Sequence, residues 1–275
     1  MSTANPSIDE LREASAAKLR QVVRAGNWSG HTSGLSRGSV QANLVILPAD
    51  AAEEFAAFCR LNPRPCPLIE QTAPGDAEPK RTAPGADLRR DVPRYRVFRH
   101  GKPEPTEPLE VTSLWRNDFV SFLLGCSFTF ENALAAAGLP VRHVVDGCNV
   151  PMYRTNIACK SAGRFAGPMV VSMRPYPRHS VDRVIEITSR FPTMHGGPIH
   201  VGDPAALGIN DLAKPDFGDR VRIEPDEVPL FWACGVTPQV ALVESGCELA
   251  ITHSPGCMFV TDLRDSDQEV SPTSG

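Results

Sequence analysis

The sequence predicts an α/β fold (α+β mixed) built on a mixed sheet, and three observations predict it. Short apolar runs of strand length alternate with helically periodic segments between residues 44 and 262. The 26 prolines and 21 glycines fall largely inside small-residue motifs between those segments, which calls for many sharp, defined loops. The 275 residues, 41% of them hydrophobic, suffice to bury a sizeable core in one large or two small domains.

Taken in order, Ser7-Ile8-Asp9-Glu10 reads as a capping box, and Leu11, Leu19, Val22 and Val23 follow at helical spacing to a stop at Gly26. One N-terminal helix is expected over 1–26. A Gly/Ser loop over 26–38 feeds the buried strand Leu44-Val45-Ile46-Leu47, and a helix carrying Phe55, Phe58 and Cys59 runs to Leu61-Asn62-Pro63. Pro67-Leu68-Ile69 reads as a strand. Residues 71–86, rich in Ala, Pro, Gly and Thr, read as a mobile surface insertion. Tyr95 to Arg99 alternates like a half-buried strand.

Thr112 or Ser113 is expected to open a helix through Phe119, Phe122 and Leu123, and a second helix runs from Phe130 to Ala137 with Gly138 behind it. Strands are expected at 169–173, 199–201, 219–223, 229–234, 248–253 and 257–262, with helices near 180–190 and 238–245. Residues 266–275 read as a disordered tail.

The 28 basic and 32 acidic residues are interspersed, for a net charge of −4, which leaves no basic footprint for nucleic acid. No apolar run approaches the roughly 20 residues of a membrane span. Ser2 to Glu10 lacks the features of a signal or transit peptide, so a cytoplasmic protein is expected. None of the eight cysteines forms a C-x-x-C pair, and reduced, mostly core thiols are expected. Walker A, G-x-S-x-G, H-E-x-x-H and G-x-G-x-x-G motifs are all missing.

Five segments could carry chemistry. Arg154, Thr155, Asn156, Arg164 and Arg174 gather polar donors beside strands and turns, and the guanidinium fork suits a carboxylate. Surface pairing with acids is the alternative for any one of these arginines. Arg190 precedes His195-Gly196-Gly197, where the histidine could move a proton and the glycines let backbone N–H groups approach a ligand. His195, His200 and Asp203 match no metal-ligand spacing, so no metal is assigned.

Cys234-Gly235-Val236-Thr237-Pro238 reads as a strand end turning into a helix start, an anion-binding geometry in which Cys234 is either a nucleophile or a buried core thiol. Ser127 and Glu131 either cap a helix or serve as substrate contact and base. His253 closes a strand before a turn, a position suited to lining a site.

Several long stretches together resemble one family, that of hydro-lyases related to D-glutamate cyclase. They include Gln41-Ala42-Asn43-Leu44-Val45-Ile46-Leu47-Pro48, Leu124-Gly125-Cys126-Ser127-Phe128 and Val150-Pro151-Met152-Tyr153-Arg154-Thr155-Asn156. Ser189-Arg190-Phe191-Pro192, Phe231 through Gln239 and His253-Ser254-Pro255-Gly256 continue the likeness in register, over roughly residues 27–263. The resemblance implies a layered α/β sandwich and a second, smaller α/β lobe, set here at about 140–215 within a two-lobed region of 27–265. Cys257 stands where many members carry histidine, which leaves His253 the stronger candidate.

It also implies cyclising dehydration of D-glutamate to 5-oxo-D-proline. Alternatives are water removal from another hydroxy or amino acid, or a carboxylate-binding protein without catalysis. On this reading Arg154, Arg164 or Arg174 clamps a carboxylate, and His195 or Glu131 takes the ammonium proton. His253 or Asp203 protonates the departing oxygen, and Gly196-Gly197 or Thr237 holds the oxyanion. No cofactor is required. The expected partner is a small acidic amino acid or carboxylate, with no nucleic acid and no membrane, and homo-oligomer formation is left open.

Overall fold

A computed structural model describes residues 6–270. Residues 1–5 of the segment read for a targeting signal, and 271–275 of the expected tail, lie outside the described residues.

The capping box forms as read: Ser7 and Glu10 exchange side chain–backbone hydrogen bonds at the head of α1 (Ile8–Glu13). The chain then breaks at Ala14, and Ser15 caps a second helix, α2 (Ala16–Arg24), so two helices occupy the place of the single one expected. Next come β1 (Ser39–Pro48), α3 (Ala49–Leu61), β2 (Leu68–Gln71), β3 (Tyr95–Arg99) and the short β4 (Lys102–Pro103). They are followed by β5 (Phe119–Leu124), α4 (Phe128–Ala136), α5 (Arg142–Val145), β6 (Met152–Ala158), β7 (Pro168–Pro177) and α6 (Val181–Ser189). The chain closes with β8 (His200–Val201), β9 (Glu227–Ala233), α7 (Thr237–Ser245), β10 (Leu249–His253) and β11 (Phe259–Arg264).

The strands form two sheets. The larger runs β2-β5-β1-β10-β3-β4, with β11 also paired to β1; the smaller runs β6-β7-β9-β8. The α/β class holds, and every pairing between these strands is antiparallel where the sequence suggested a mixed sheet. Strand β1 is the hub. β5 runs along one edge from Asn43 to Pro48, while β11 and then β10 share the other.

All ten residues of β1 are buried, because both faces of its sheet are covered. Val45 and Leu47 face a core with Phe55 and Phe58 of α3, and Leu44 and Ile46 face a second core. That second core is closed by Ala83, Ala86 and Leu88, so the expected mobile insertion is a packed cover for the sheet. The Glu70 carboxylate fixes it by accepting from the backbone N–H groups of Arg81 and Thr82.

The helix expected through Phe119 is strand β5, preceded by a single 3-10 turn at Thr112–Leu114. No strand forms over 219–223, and residues 265–268 form a 3-10 turn instead of the start of a disordered tail. The tail is pinned further by an Arg190–Glu269 ion pair. Helix α7 is buried from Thr237 through Leu242. It gives Ala241 and Leu242 to the core beneath β1 and Val236 and Val240 to a cluster with Val170 of β7, so it lies wedged between the sheets. Among the described residues no helix is long and apolar enough to cross a membrane.

Candidate functional site

The two sheets and α7 bring several strand ends to one small cavity. β5 ends in Gly125-Cys126-Ser127 and turns into α4; β9 ends in Cys234-Gly235-Val236 and turns into α7; β10 ends at His253. Cys126, Ser127, His195, Cys234 and His253 line the cavity together with Asn43 of β1. It encloses about 40 Å³, room for a few waters.

Close backbone approach makes this convergence possible. A Cβ on Gly125 would collide with the Thr193 carbonyl oxygen, and one on Gly235 would collide with the Asn43 side chain. Asn43 is fixed in turn by donating from Nδ2 to the Gly125 carbonyl at 2.8 Å. His195 follows the 3-10 turn Pro192–Met194 in the left-handed region, φ +76°, although it is almost wholly buried. A buried non-glycine residue held there signals a conformation imposed by its surroundings, a common feature of functional sites.

The two histidines have opposite hydrogen-bonding roles. His195 Nδ1 lies 2.7 Å from the Arg64 carbonyl, so Nδ1 carries the proton and Nε2 is left as the acceptor. His253 Nδ1 accepts from the Leu44 N–H at 3.1 Å, nearer than the Leu44 carbonyl at 3.4 Å, so Nε2 carries the proton. Burial pushes His195 down to about 4, with the carbonyls of Arg64 and Gly125 pulling the other way and the Arg174 charge adding to the fall. Burial also pushes His253 down to about 4. Both rings are therefore neutral at physiological pH.

The thiols are not activated. Burial raises Cys126 to about 12 and Cys234 to about 11, against the pull of nearby backbone N–H groups, so the nucleophile reading of Cys234 lacks a thiolate.

Arg174 and Glu131 stand behind the cavity wall. Arg174 is fully buried, sandwiched at 5.3 Å from both the Phe130 and the Trp232 rings. Its Nε donates to Glu131 Oε1 at 3.0 Å, Nη1 to Ser172 Oγ at 3.0 Å and Nη2 to Ser127 Oγ at 2.9 Å; Nη2 also pairs with Glu131. Burial opposes the Glu131 charge, but Arg174 and His143 outweigh it and hold the carboxyl at about 2. A carboxylate so firmly ionised and paired is a poor proton acceptor, which removes Glu131 from the role of base. Its pairing likewise removes Arg174 from the role of substrate clamp. Arg174 instead orients Ser127: the hydroxyl accepts from the guanidinium, and its own proton remains free for the cavity.

Thr237 opens α7, and its hydroxyl engages the Val170 backbone, so it secures that helix start to β7. Gly196 and Gly197 follow His195, and the Gly197 carbonyl accepts from Arg64. The other expected contacts lie elsewhere. Exposed Arg154 sits over the Phe217 ring, Thr155 donates to the Met169 carbonyl, and Asn156 reaches the Ala206 carbonyl. Arg164 pairs with Asp50 and Glu54, Arg190 with Glu269, and Asp203 caps the turn Pro204–Leu207. His200 bonds to the Asp203 carbonyl, apart from His195. No arginine lines the cavity, and among the described residues no group of His, Cys, Asp and Glu is gathered to hold a metal.

Sequence reasoning missed Asn43 and Ser172. Asn43 left one signal, a polar side chain inside the apolar run Ala42 to Leu47.

The sequence model of a family described as D-glutamate cyclase matches residues 120–262. A protein of Stutzerimonas stutzeri named "Putative hydro-lyase" is 56% identical over 94% of this chain and 97% of its own length. Proteins of the same designation from Geobacillus kaustophilus and Rubrobacter xylanophilus are 56% and 57% identical, over 91% and 93% of this chain and 95% and 98% of theirs.

Proposed function

Because the chain belongs to the D-glutamate cyclase family, we propose that it is a hydro-lyase and that the cavity between its sheets cyclises D-glutamate to 5-oxo-D-proline and water. The observation that supports this is the pair of neutral histidines with opposite tautomers on one cavity, His195 presenting an acceptor nitrogen and His253 a donor.

Cyclisation needs both. The substrate ammonium gives a proton to His195 Nε2, and the freed amine attacks the distal carboxyl carbon. The tetrahedral oxyanion is held by the Ser127 hydroxyl and by backbone N–H groups where α7 begins, each donor worth roughly 3 kcal/mol. His195 Nε2 then returns that proton to the departing oxygen, the nitrogen gives its second proton to the same oxygen, and His253 Nε2–H holds that oxygen by a hydrogen bond. One N–C bond forms, one C–O bond breaks, and the two protons leaving nitrogen depart with that oxygen as water. Folding the substrate into an attacking geometry supplies up to about 7–11 kcal/mol of the barrier.

Chiral chromatography of D-glutamate incubated with the folded protein tests the reading, and the absence of 5-oxo-D-proline would sink it. His253→Phe, which removes the donor, should lower kcat by about 10²–10³-fold.

A further inference from the structure

Beyond Phe128 lies a second, larger cavity of about 180 Å³, between α4, α5 and the start of β1. Phe128 lines both cavities and so forms their common wall. Six of the fourteen lining residues are aliphatic, Leu35, Val141 and Val144 among them, and six are polar or charged. Two of the polar residues present an acceptor atom without a donor. Gln41 is nineteen-twentieths buried, and its amide orientation is fixed because Nε2 donates to the carbonyls of Thr32 and Leu35. That leaves Gln41 Oε1 buried without a donor. Glu131 is equally buried, and both its Arg174 contacts and the approach of His143 fall on Oε1, leaving Oε2 uncommitted. Arg37, the only cation in the lining, is paired with Glu13 at the rim.

Two uncommitted acceptors, one on an ionised carboxylate, beside an aliphatic surface call for a ligand that brings donors and an apolar body. We propose that the outer cavity is a binding site for a primary ammonium group carried on a short aliphatic chain, held by Glu131 Oε2 and Gln41 Oε1. The ammonium is that of an amine other than the substrate of the reaction proposed above, whose own ammonium meets His195 in the inner cavity.

Calorimetric titration with isobutylamine and with isobutanol tests the site. The charged amine should bind at least tenfold more tightly than the alcohol. Gln41→Met, which replaces the acceptor by an apolar group of similar length, should erase most of that preference. Val144→Trp, at a half-exposed lining position, should abolish binding by filling the cavity. Equal binding of amine and alcohol, or amine binding that survives Val144→Trp, would overturn the proposal. Retention of isobutylamine in the presence of D-glutamate would support a separate amine site, and displacement by D-glutamate would overturn it. These readings need no turnover, so a failure to form 5-oxoproline would count against the cyclase and leave the ammonium site standing.

Discussion

Two strand–turn–helix units meet at the inner cavity, and their sequences run in parallel. Cys126-Ser127-Phe128-Thr129-Phe130-Glu131 leads from β5 into α4, and Cys234-Gly235-Val236-Thr237-Pro238-Gln239 leads from β9 into α7. Both follow Cys-x-x-Thr-x-Glu/Gln, both helices are nine residues long, and both cysteines line the cavity. The differences divide the labour. Where the first unit has Ser127 and Glu131, tied to Arg174, the second has Gly235 and Gln239. The first therefore carries charge and a poised hydroxyl, and the second carries close packing against Asn43 and both sheets. The same local frame serves polar preorganisation in one unit and steric fit in the other.

The sharpest way to break this comparison is Arg174→Ala. It leaves Glu131 buried and unpaired, so a loss of about 3–5 kcal/mol in denaturant unfolding is expected, with activity lost alongside it. A sequence reading of Arg174 as a substrate clamp expects lost activity with little loss of stability, and a variant that unfolds like the wild type would restore that reading.

Acid separates the histidines from the first unit by pH window. His195 and His253 are depressed from about 6.5 to about 4, so the unfolded chain binds more protons than the folded one in that interval. Their contribution is complete above pH 6.5 and is lost as pH falls through about 4, on the order of 3 kcal/mol each. Glu131, depressed from 4.5 to about 2, adds a second loss between those values. Unfolding curves of His253→Gln from pH 7 to 4 should be flatter than wild type; superimposable slopes would contradict the burial argument.

Exchanging the distinguishing residues should be asymmetric. Gly235→Ser makes the second unit resemble the first, but its Cβ meets Asn43, and a cost of about 1–3 kcal/mol is expected. Asn43→Ala added to it should recover part of that cost, which a double-mutant cycle would read. Ser127→Ala, the smallest change, removes one acceptor from Arg174 and should cost about 1 kcal/mol in stability. Its larger effect should be on kcat, through loss of the oxyanion donor.

Much of this was legible in the sequence where a local signal has one meaning. Ser7 and Glu10 specify a capping box, the alternation at Tyr95–Arg99 specifies a half-buried strand, and both form. The failures come where two structures share one signal. Phe119, Phe122 and Leu123 recur at helical spacing, yet a short strand buried on both faces offers the same run, and β5 is such a strand. Ala83, Ala86 and Leu88 sit in linker-like composition, and only the sheet above them reveals their packing.

Ser127, His195 and His253, each ending an element beside a turn, all reach the cavity, and that position was legible in the sequence. The arginines were not separable, since a guanidinium's partner lies anywhere in the chain: Arg164 meets Asp50 and Glu54, more than a hundred residues away.

The wedge position of α7 limits how a substrate can enter. Parting the sheets like a clam shell would strip Ala241 and Leu242 from one core and Val236 and Val240 from another at the same time. A whole-body hinge would therefore be expensive at every turnover. Turning one aromatic side chain, Phe128, between the two cavities would expose far less surface. For the proposed reaction, entry is therefore expected through side-chain rotamers, on the timescale of single side chains, without parting the two cores.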